Sequence, residues 1–334
     1  MSGLTLHIDS ERWRHHISHY VARHHGDLIP VIKGNGYGFG IPTLAREASN
    51  FEASAVACYN AEEAAVIRSQ FSGDILLLSP HEILDESWVI HTVAPVTPTD
   101  AHPKRFVVEI LSPVKRHGFS VSNVQEVISK FSHNGVCEGI ALHLPIEQRN
   151  SMTDWVAQVI QSLAEENVKT ESFQNTLWLS HISAEDLVKL RESFPHLRFK
   201  VRVGTDLWLG ARTSLSATAQ VIDVHPVTSG ERIGYRQTAP GKGWVIVAAG
   251  GTSQGIGLEV PKAGLKEVLK SLLRIFGWNP SPFSWNGRAL AFVEPPHMHN
   301  SLLFLKSGAP PQIGEEIGLN VRFTTTSFDE IIFE

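Results

Sequence analysis

The chain has 334 residues, 42% of them hydrophobic and 19% charged, a balance typical of soluble globular proteins and far from that of disordered ones. A formal net charge of −5 supplies no basic field for nucleic acid or an anionic membrane surface, and no apolar run reaches the roughly 18 residues of a spanning helix. The length exceeds one ordinary core, so two domains, or a barrel with an appended domain, are expected. The opening Met1–Ser10 has no basic stretch followed by an apolar one, which makes a cytoplasmic location the expectation. Cys58 and Cys137 lie in apolar, strand-like runs without C-x-x-C spacing and read as buried thiols. The 17 histidines show no ligand spacing, so no metal site is assigned.

Through about residue 205 short β-rich runs alternate with amphipathic stretches, the signature of repeated βα units and a parallel sheet. Strands are predicted at 28–33, 54–58, 75–78, 90–96, 106–111, 139–143, 176–180 and 199–203, and helices at 41–51, 61–69, 121–131, 152–166 and 184–194. Ser183-Ala-Glu-Asp186 opens the last helix with a capping-box pattern. Eight such units suggest a closed (β/α)8, TIM-like barrel with its active site at the C-terminal strand ends; a doubly wound open sheet is the alternative. From about Leu207 the texture changes to short β-branched runs broken by Gly and Pro, at 221–227, 233–235, 244–249, 289–293, 301–305 and 317–323, with one helix at 264–276. The fold class is therefore α/β, with an N-terminal barrel over 1–212 and a mainly β domain over 213–334.

The first predicted strand ends in Pro30-Val-Ile-Lys33-Gly-Asn-Gly-Tyr37-Gly-Phe-Gly40. A lysine at the C-terminal end of a barrel strand faces the barrel mouth, where a desolvated amine has a lowered pKa and can attack an aldehyde. The glycines let backbone approach a ligand, although the same pattern also suits a tight turn with a solvated lysine.

Val-Ile-Lys-Gly-Asn-Gly-Tyr-Gly-Phe-Gly resembles the lysine signature Val-x-Lys-Ala-Asn-Ala-Tyr-Gly-His-Gly of the alanine racemase family. Further segments follow in the family's order: Ala55 to Arg68 resembles its second strand and helix, Gly139-Ile-Ala-Leu-His143 its Gly-x-x-x-His strand, Lys200 to Gly210 its Arg-Pro-Gly-x-x-Leu-Tyr-Gly segment, and Ser229 to Tyr235 the opening of its β domain. The resemblance implies a barrel plus β domain, pyridoxal 5′-phosphate as cofactor, a small amino acid as substrate, and a homodimer with shared active sites.

It also implies roles. Lys33 would hold the cofactor and act as base on one face of the substrate Cα. Tyr37 would bind the phosphate with Ser180, His181 and backbone amides near Gly204. Arg202 would face the pyridine nitrogen and, being unable to give up its proton, would leave that nitrogen unprotonated. His143 would stand beside the cofactor ring. Arg116, in Pro113-Val-Lys-Arg116-His-Gly118-Phe119, would contact the substrate carboxylate. Glu109 takes the position of a lysine that is carboxylated in many racemases, and is expected to form a bidentate pair with Arg116. The bland readings are a packed Tyr37, a rim ion pair for Arg202, a satisfied core histidine at His143 and a surface pair for Glu109.

The chain departs from the family at the second base. The family's Gly-Tyr-Ala-Asp-Gly corresponds to Gly251-Thr252-Ser-Gln-Gly255, so an aliphatic hydroxyl replaces a phenol. The family's later Met-Asp corresponds to Met298-His299, and His299 or its neighbour His297 is a candidate for the opposite-face base, unless these are simply solvated loop histidines. Two classes of reading follow: a pyridoxal-phosphate enzyme, either an amino-acid racemase or a one-base enzyme catalysing aldol cleavage, decarboxylation or elimination, and a non-catalytic cofactor-binding protein.

Overall fold

The computed structural model describes residues 3–24, 27–146, 152–235, 237–258 and 279–334. The predicted helix 264–276 lies outside the described residues. The chain divides into two compact units, one of His15–Gly36 and Ile41–Gly210, the other of Met1–Arg14, Tyr37–Gly40 and Ala211–Glu334.

The first unit is a ring of eight parallel strands. Leu28–Pro30 pairs with Arg198–Val203, followed by Thr176–Ser180, Val136–His143, Arg105–Ile110, Val89–Val93, Asp74–Leu77 and Ala55–Cys58. The ring closes where Val31 bridges Ala57 and the Ile32 N–H donates to the Ala57 carbonyl at 2.7 Å. That closure rules out the open sheet and makes the unit a (β/α)8 barrel.

The intervening helices begin and bury as their sequences dictate. Asn60 Oδ1 accepts the Glu63 N–H at 2.9 Å and starts Ala61–Arg68, and Ser183 Oγ accepts the Asp186 N–H at 3.0 Å and starts Ala184–Ser193. Helix Val124–Phe131 buries Val124, Val127, Ile128 and Phe131, one stripe at helical spacing. Asp74–Leu77 and Val89–Val93 are followed by loops instead of helices.

Side chains alternate in and out along each strand, so residues two apart share the inward face. Ile29, Val31, Ala55, Ala57, Leu76, Ile90, Val107, Ala141 and Trp178 form the apolar middle of the barrel. Toward the N-terminal strand ends, Arg105 donates to both Asp74 oxygens at 2.6 Å and also pairs with Glu138. Two residues beyond the middle, toward the C-terminal ends, the same faces carry Lys33, Thr92, Glu109, His143 and Ser180, with Arg202 two beyond Lys200.

The second unit is an eight-stranded sheet in which Leu215–Val227 is the organising strand. Its first half pairs antiparallel with Leu4–Ile8 and Glu316–Leu319; past a register shift between Val221 and Asp223, its second half pairs with Gly243–Ala249. Pro280–Trp285, Arg288–Phe292, Asn300–Leu305 and Glu330–Phe333 complete the sheet. Leu4–Ile8, Pro280–Trp285, Glu330–Phe333 and the helix Ser10–Arg23 are not among the predicted elements. Two prolines read against a strand at 280–285, and the helix is so rich in charge and histidine that its apolar stripe is faint.

Gly139 explains the glycine of the Gly-x-x-x-His strand. It lies at a register shift in Val136–His143 with φ +151°, and a Cβ there would stand 2.6 Å from the Trp178 ring and 2.7 Å from the Thr176 carbonyl. Gly139→Ala must both strain the backbone and displace a fully buried tryptophan, so a loss of about 3 kcal/mol in unfolding free energy is expected by denaturant titration. An unchanged midpoint would contradict this packing.

Candidate active site

Lys33 is carried on a turn held by one carboxylate. Its carbonyl accepts the Gly36 N–H at 3.1 Å, while Glu63 accepts the Gly34 N–H through one oxygen and the Tyr59 N–H through the other, each at 2.7 Å. Gly34 and Gly36 have φ of +61° and +62°, and a Cβ on Gly36 would meet the Ile41 amide nitrogen at 2.7 Å, so the turn requires glycine there. Burial lowers the Lys33 pKa, Arg116 and Arg202 lower it further, and Glu63 opposes them. The amine is thereby shifted toward its nucleophilic neutral form.

In the same layer, Arg202 and Glu109 form an ion pair with Nη1 and Oε2 3.6 Å apart, the two side chains only 5% and 4% exposed. This corrects the expectation of a bidentate pair between Glu109 and Arg116: strand period places Glu109 on the inward face with Arg202, while Arg116 is exposed on the excursion between Ile110 and Phe119 and acts on the carboxylate at longer range. That excursion returns through Gly118, φ +143°, where a Cβ would stand 2.3 Å from the Leu111 nitrogen. Burial raises the Glu109 carboxyl above its ordinary range, and the two guanidiniums pull it down. Arg202 donates from Nη2 to the Leu142 carbonyl at 3.2 Å, whereas its Nε is buried without a hydrogen-bond partner.

His143 Nδ1 lies 3.0 Å from Ser180 Oγ, and its ring stands edge-on to His181 at 5.3 Å. Burial, then Arg202, His181, Arg116 and Lys33, lower the His143 pKa to about 3, so the ring is neutral at physiological pH. His181 adopts φ +55°, and burial lowers its pKa as well. Gly204 starts the short helix Thr205–Leu209, whose first N–H groups have no partner within the helix. The structure thus brings Lys33, Glu109, His143, Ser180, His181 and Arg202 to one end of the barrel, with Arg116 electrostatically coupled to them.

Tyr37 is buried, with φ +55°, in the segment Tyr37–Gly40 that packs with the β unit. Thr252, Met298 and His299 lie on one exposed strip of that unit. There the Thr252 N–H donates to the His297 carbonyl at 2.8 Å and the Ser253 N–H to the Met298 carbonyl at 3.0 Å. His299 Nδ1 contacts Ser253 Oγ at 3.1 Å, while His297 Nε2 bonds buried Glu294 at 2.8 Å, which leaves Nδ1 as the second ring nitrogen of an oriented imidazole.

Two residues of this region, Glu63 and Thr92, are not among the sequence-predicted site residues. Glu63 stands at the third position after the cap Asn60, a legible signal; Thr92, whose buried hydroxyl has no hydrogen-bond partner, is visible only through strand parity with Ile90.

A lysine, two arginines and two carboxylates at the mouth of a closed parallel barrel, followed by a mainly β unit, define the class as a two-unit (β/α)8 protein. Residues 8–211 match the family model "Alanine racemase, N-terminal domain", and the chain belongs to the alanine racemase family. No curated protein matches it. Among solved structures, it is similar to alanine racemase from Clostridium difficile 630 (15% identity, 100% of this chain and 96% of the other, TM-score 0.72). It is similar also to alanine racemase from Bartonella henselae with covalently bound pyridoxal phosphate (14%, 100% and 100%, 0.71). A third is histidine racemase from Leuconostoc mesenteroides subsp. sake NBRC 102480 (16%, 95% and 87%, 0.66). At these identities the likeness is one of fold.

The depressed His143 pKa has a stability consequence. An unfolded histidine takes its proton near pH 6.5, the folded one only near 3, so acid favours the unfolded chain. This contribution is complete above about 6.5 and is lost as pH falls toward 3. His143→Gln should therefore show a shallower loss of stability between pH 6.5 and 4 than wild type, measured by denaturant midpoints across pH. Parallel profiles would place His143 in a solvated setting instead.

Proposed function

We propose that this chain is a pyridoxal-phosphate-dependent enzyme that moves the Cα proton of an amino acid, working as an amino-acid racemase. The observation that carries the reading is the desolvated Lys33 amine at the barrel mouth, next to the strand that bears a buried Arg202 whose Nε lacks a partner. An unsatisfied buried N–H is costly, and an acceptor such as a pyridine nitrogen would relieve it. The residues present therefore fit the cofactor. When bound, pyridoxal phosphate supplies the electron sink that makes a Cα proton removable.

The chain's own groups would act as follows. Lys33 holds the cofactor covalently and, when released, takes or returns a proton at Nζ on one face of Cα. Arg202 keeps its proton, which weakens the sink and favours proton movement over bond cleavages that need a long-lived carbanion. Ser180, His181, the amides after Gly204 and Tyr37 bind phosphate, and neutral His143 packs beside the ring. Exposed Arg116 takes the substrate carboxylate. We read the assembly as a homodimer, in which the strip bearing Thr252, Met298 and His299 serves the barrel mouth of a second copy. His299 or His297 would then be the opposite-face base.

The second reading, a one-base enzyme catalysing aldol cleavage, decarboxylation or elimination, or a cofactor-binding protein without turnover, is favoured by Thr252 alone. Its hydroxyl has no accessible pKa for Cα chemistry.

The purified protein should be yellow, and borohydride should fix the cofactor to the peptide containing Lys33; Lys33→Ala should lose both properties. A label on another lysine, or a colourless protein that ignores added cofactor, refutes the cofactor assignment. Solvent deuterium incorporation at Cα, followed by chiral chromatography, should show exchange and inversion across L- and D-amino acids ranging from alanine to histidine. Exchange with retention points to the one-base enzyme and no exchange to the binding protein.

If Thr252 holds the position of the family's tyrosine, Thr252→Tyr restores a titratable hydroxyl and should raise alanine racemisation, since an acid–base group contributes about 10²–10⁴-fold. An unchanged rate in a wild type that already racemises alanine well would mean that the base lies elsewhere on the strip.

A further inference from the structure

We propose that Glu109 is a positioning residue whose negative charge keeps the Arg202 guanidinium buried and aimed into the barrel mouth. This inference rests on the cofactor reading above and adds a group to it. An arginine does not give up its proton, so Arg202 must carry a full charge at 5% exposure, a position untenable without a counter-ion. Among the described residues the carboxylate within ion-pair distance is Glu109, at 3.6 Å and itself 4% exposed.

The geometry leaves little room for another arrangement. Arg202 and Glu109 stand on strands separated in the ring by Thr176–Ser180 and Val136–His143, so their pair spans the inside of the barrel. The guanidinium is held on two sides, by Glu109 at Nη1 and by the Leu142 carbonyl at Nη2. Its remaining edge, Nε, is buried and unpartnered. A planar guanidinium ion-paired at Nη1 and hydrogen-bonded at Nη2 has its Nε edge left to present to a ring nitrogen. Beneath the pair, Lys200 lies over the Trp178 ring with Nζ 4.2 Å from its centroid and closes the floor. Exposed Arg116 adds a second positive charge that Glu109 feels, so one carboxylate serves a cation facing the ring and a cation facing the entrance.

The test separates charge from packing. Glu109→Gln keeps the shape and removes the charge; Glu109→Ala removes both and opens a space that a formate ion fits. Apparent affinity for pyridoxal phosphate, read from the yellow absorbance during titration, should fall about tenfold or more in either variant. Formate should restore most of the affinity in Glu109→Ala, and neutral formamide should not. Glu109→Asp, which keeps the charge, should load close to wild type and provides the folded control if the neutral variants do not fold. Wild-type affinity in Glu109→Gln, rescue by formamide as good as by formate, or an Asp variant as poor as Gln would overturn the proposal while leaving the cofactor reading intact. A wild-type protein that takes no cofactor would instead overturn the reading on which it rests.

Discussion

Ring closure between Val31 and Ala57 is the constraint on which the candidate site depends. A closed parallel barrel forces every second side chain inward, and the interior is then filled in layers. Arg105 and Asp74 occupy the N-terminal end and aliphatic residues with Trp178 the middle. The C-terminal layer therefore comes from the next inward position of each strand, which places Lys33, Glu109, His143, Ser180 and Arg202 together although they span most of the first 202 residues. An open sheet would have put these same residues along one edge.

The charge balance of that layer follows from burial. Desolvation lowers Lys33, His143, His181 and His117 and raises Glu109, all in the direction that removes charge, while the arginines keep theirs. The mouth is left with fixed cations and two carboxylates, each already engaged: Glu63 by two backbone amides and Glu109 by Arg202. Such a site favours anionic ligands, as the proposed function requires.

In the β unit, the segment 250–253 is laced to 297–301. Amides donate across it from Gly250, Thr252 and Ser253, and Ser301 Oγ returns a bond to the Gly250 carbonyl at 2.8 Å. Gly251 fits because a Cβ there would stand 2.2 Å from the His297 carbonyl oxygen. The lacing holds Thr252 and the two histidines at a fixed spacing, so substitution at 252 changes a side chain without freeing the backbone.

The eight barrel strands, the five helices between them and the turn around Lys33 were legible in the chain alone. These are local properties: hydrophobic period, caps such as Asn60 and Ser183, and glycines where φ must be positive. The sequence did not show which carboxylate meets which arginine. Glu109 precedes Arg116 by seven residues in the chain yet pairs with Arg202, because partner choice across a barrel interior follows inward parity and closure rather than separation along the chain. The N-terminal strand Leu4–Ile8 was hidden for the same reason: its partners lie beyond residue 214, and five alternating residues become a strand when those distant edges supply the hydrogen bonds. Tertiary structure likewise decided that His297 rather than His299 is oriented by a buried carboxylate, since Glu294 is enclosed only when the strands around it assemble.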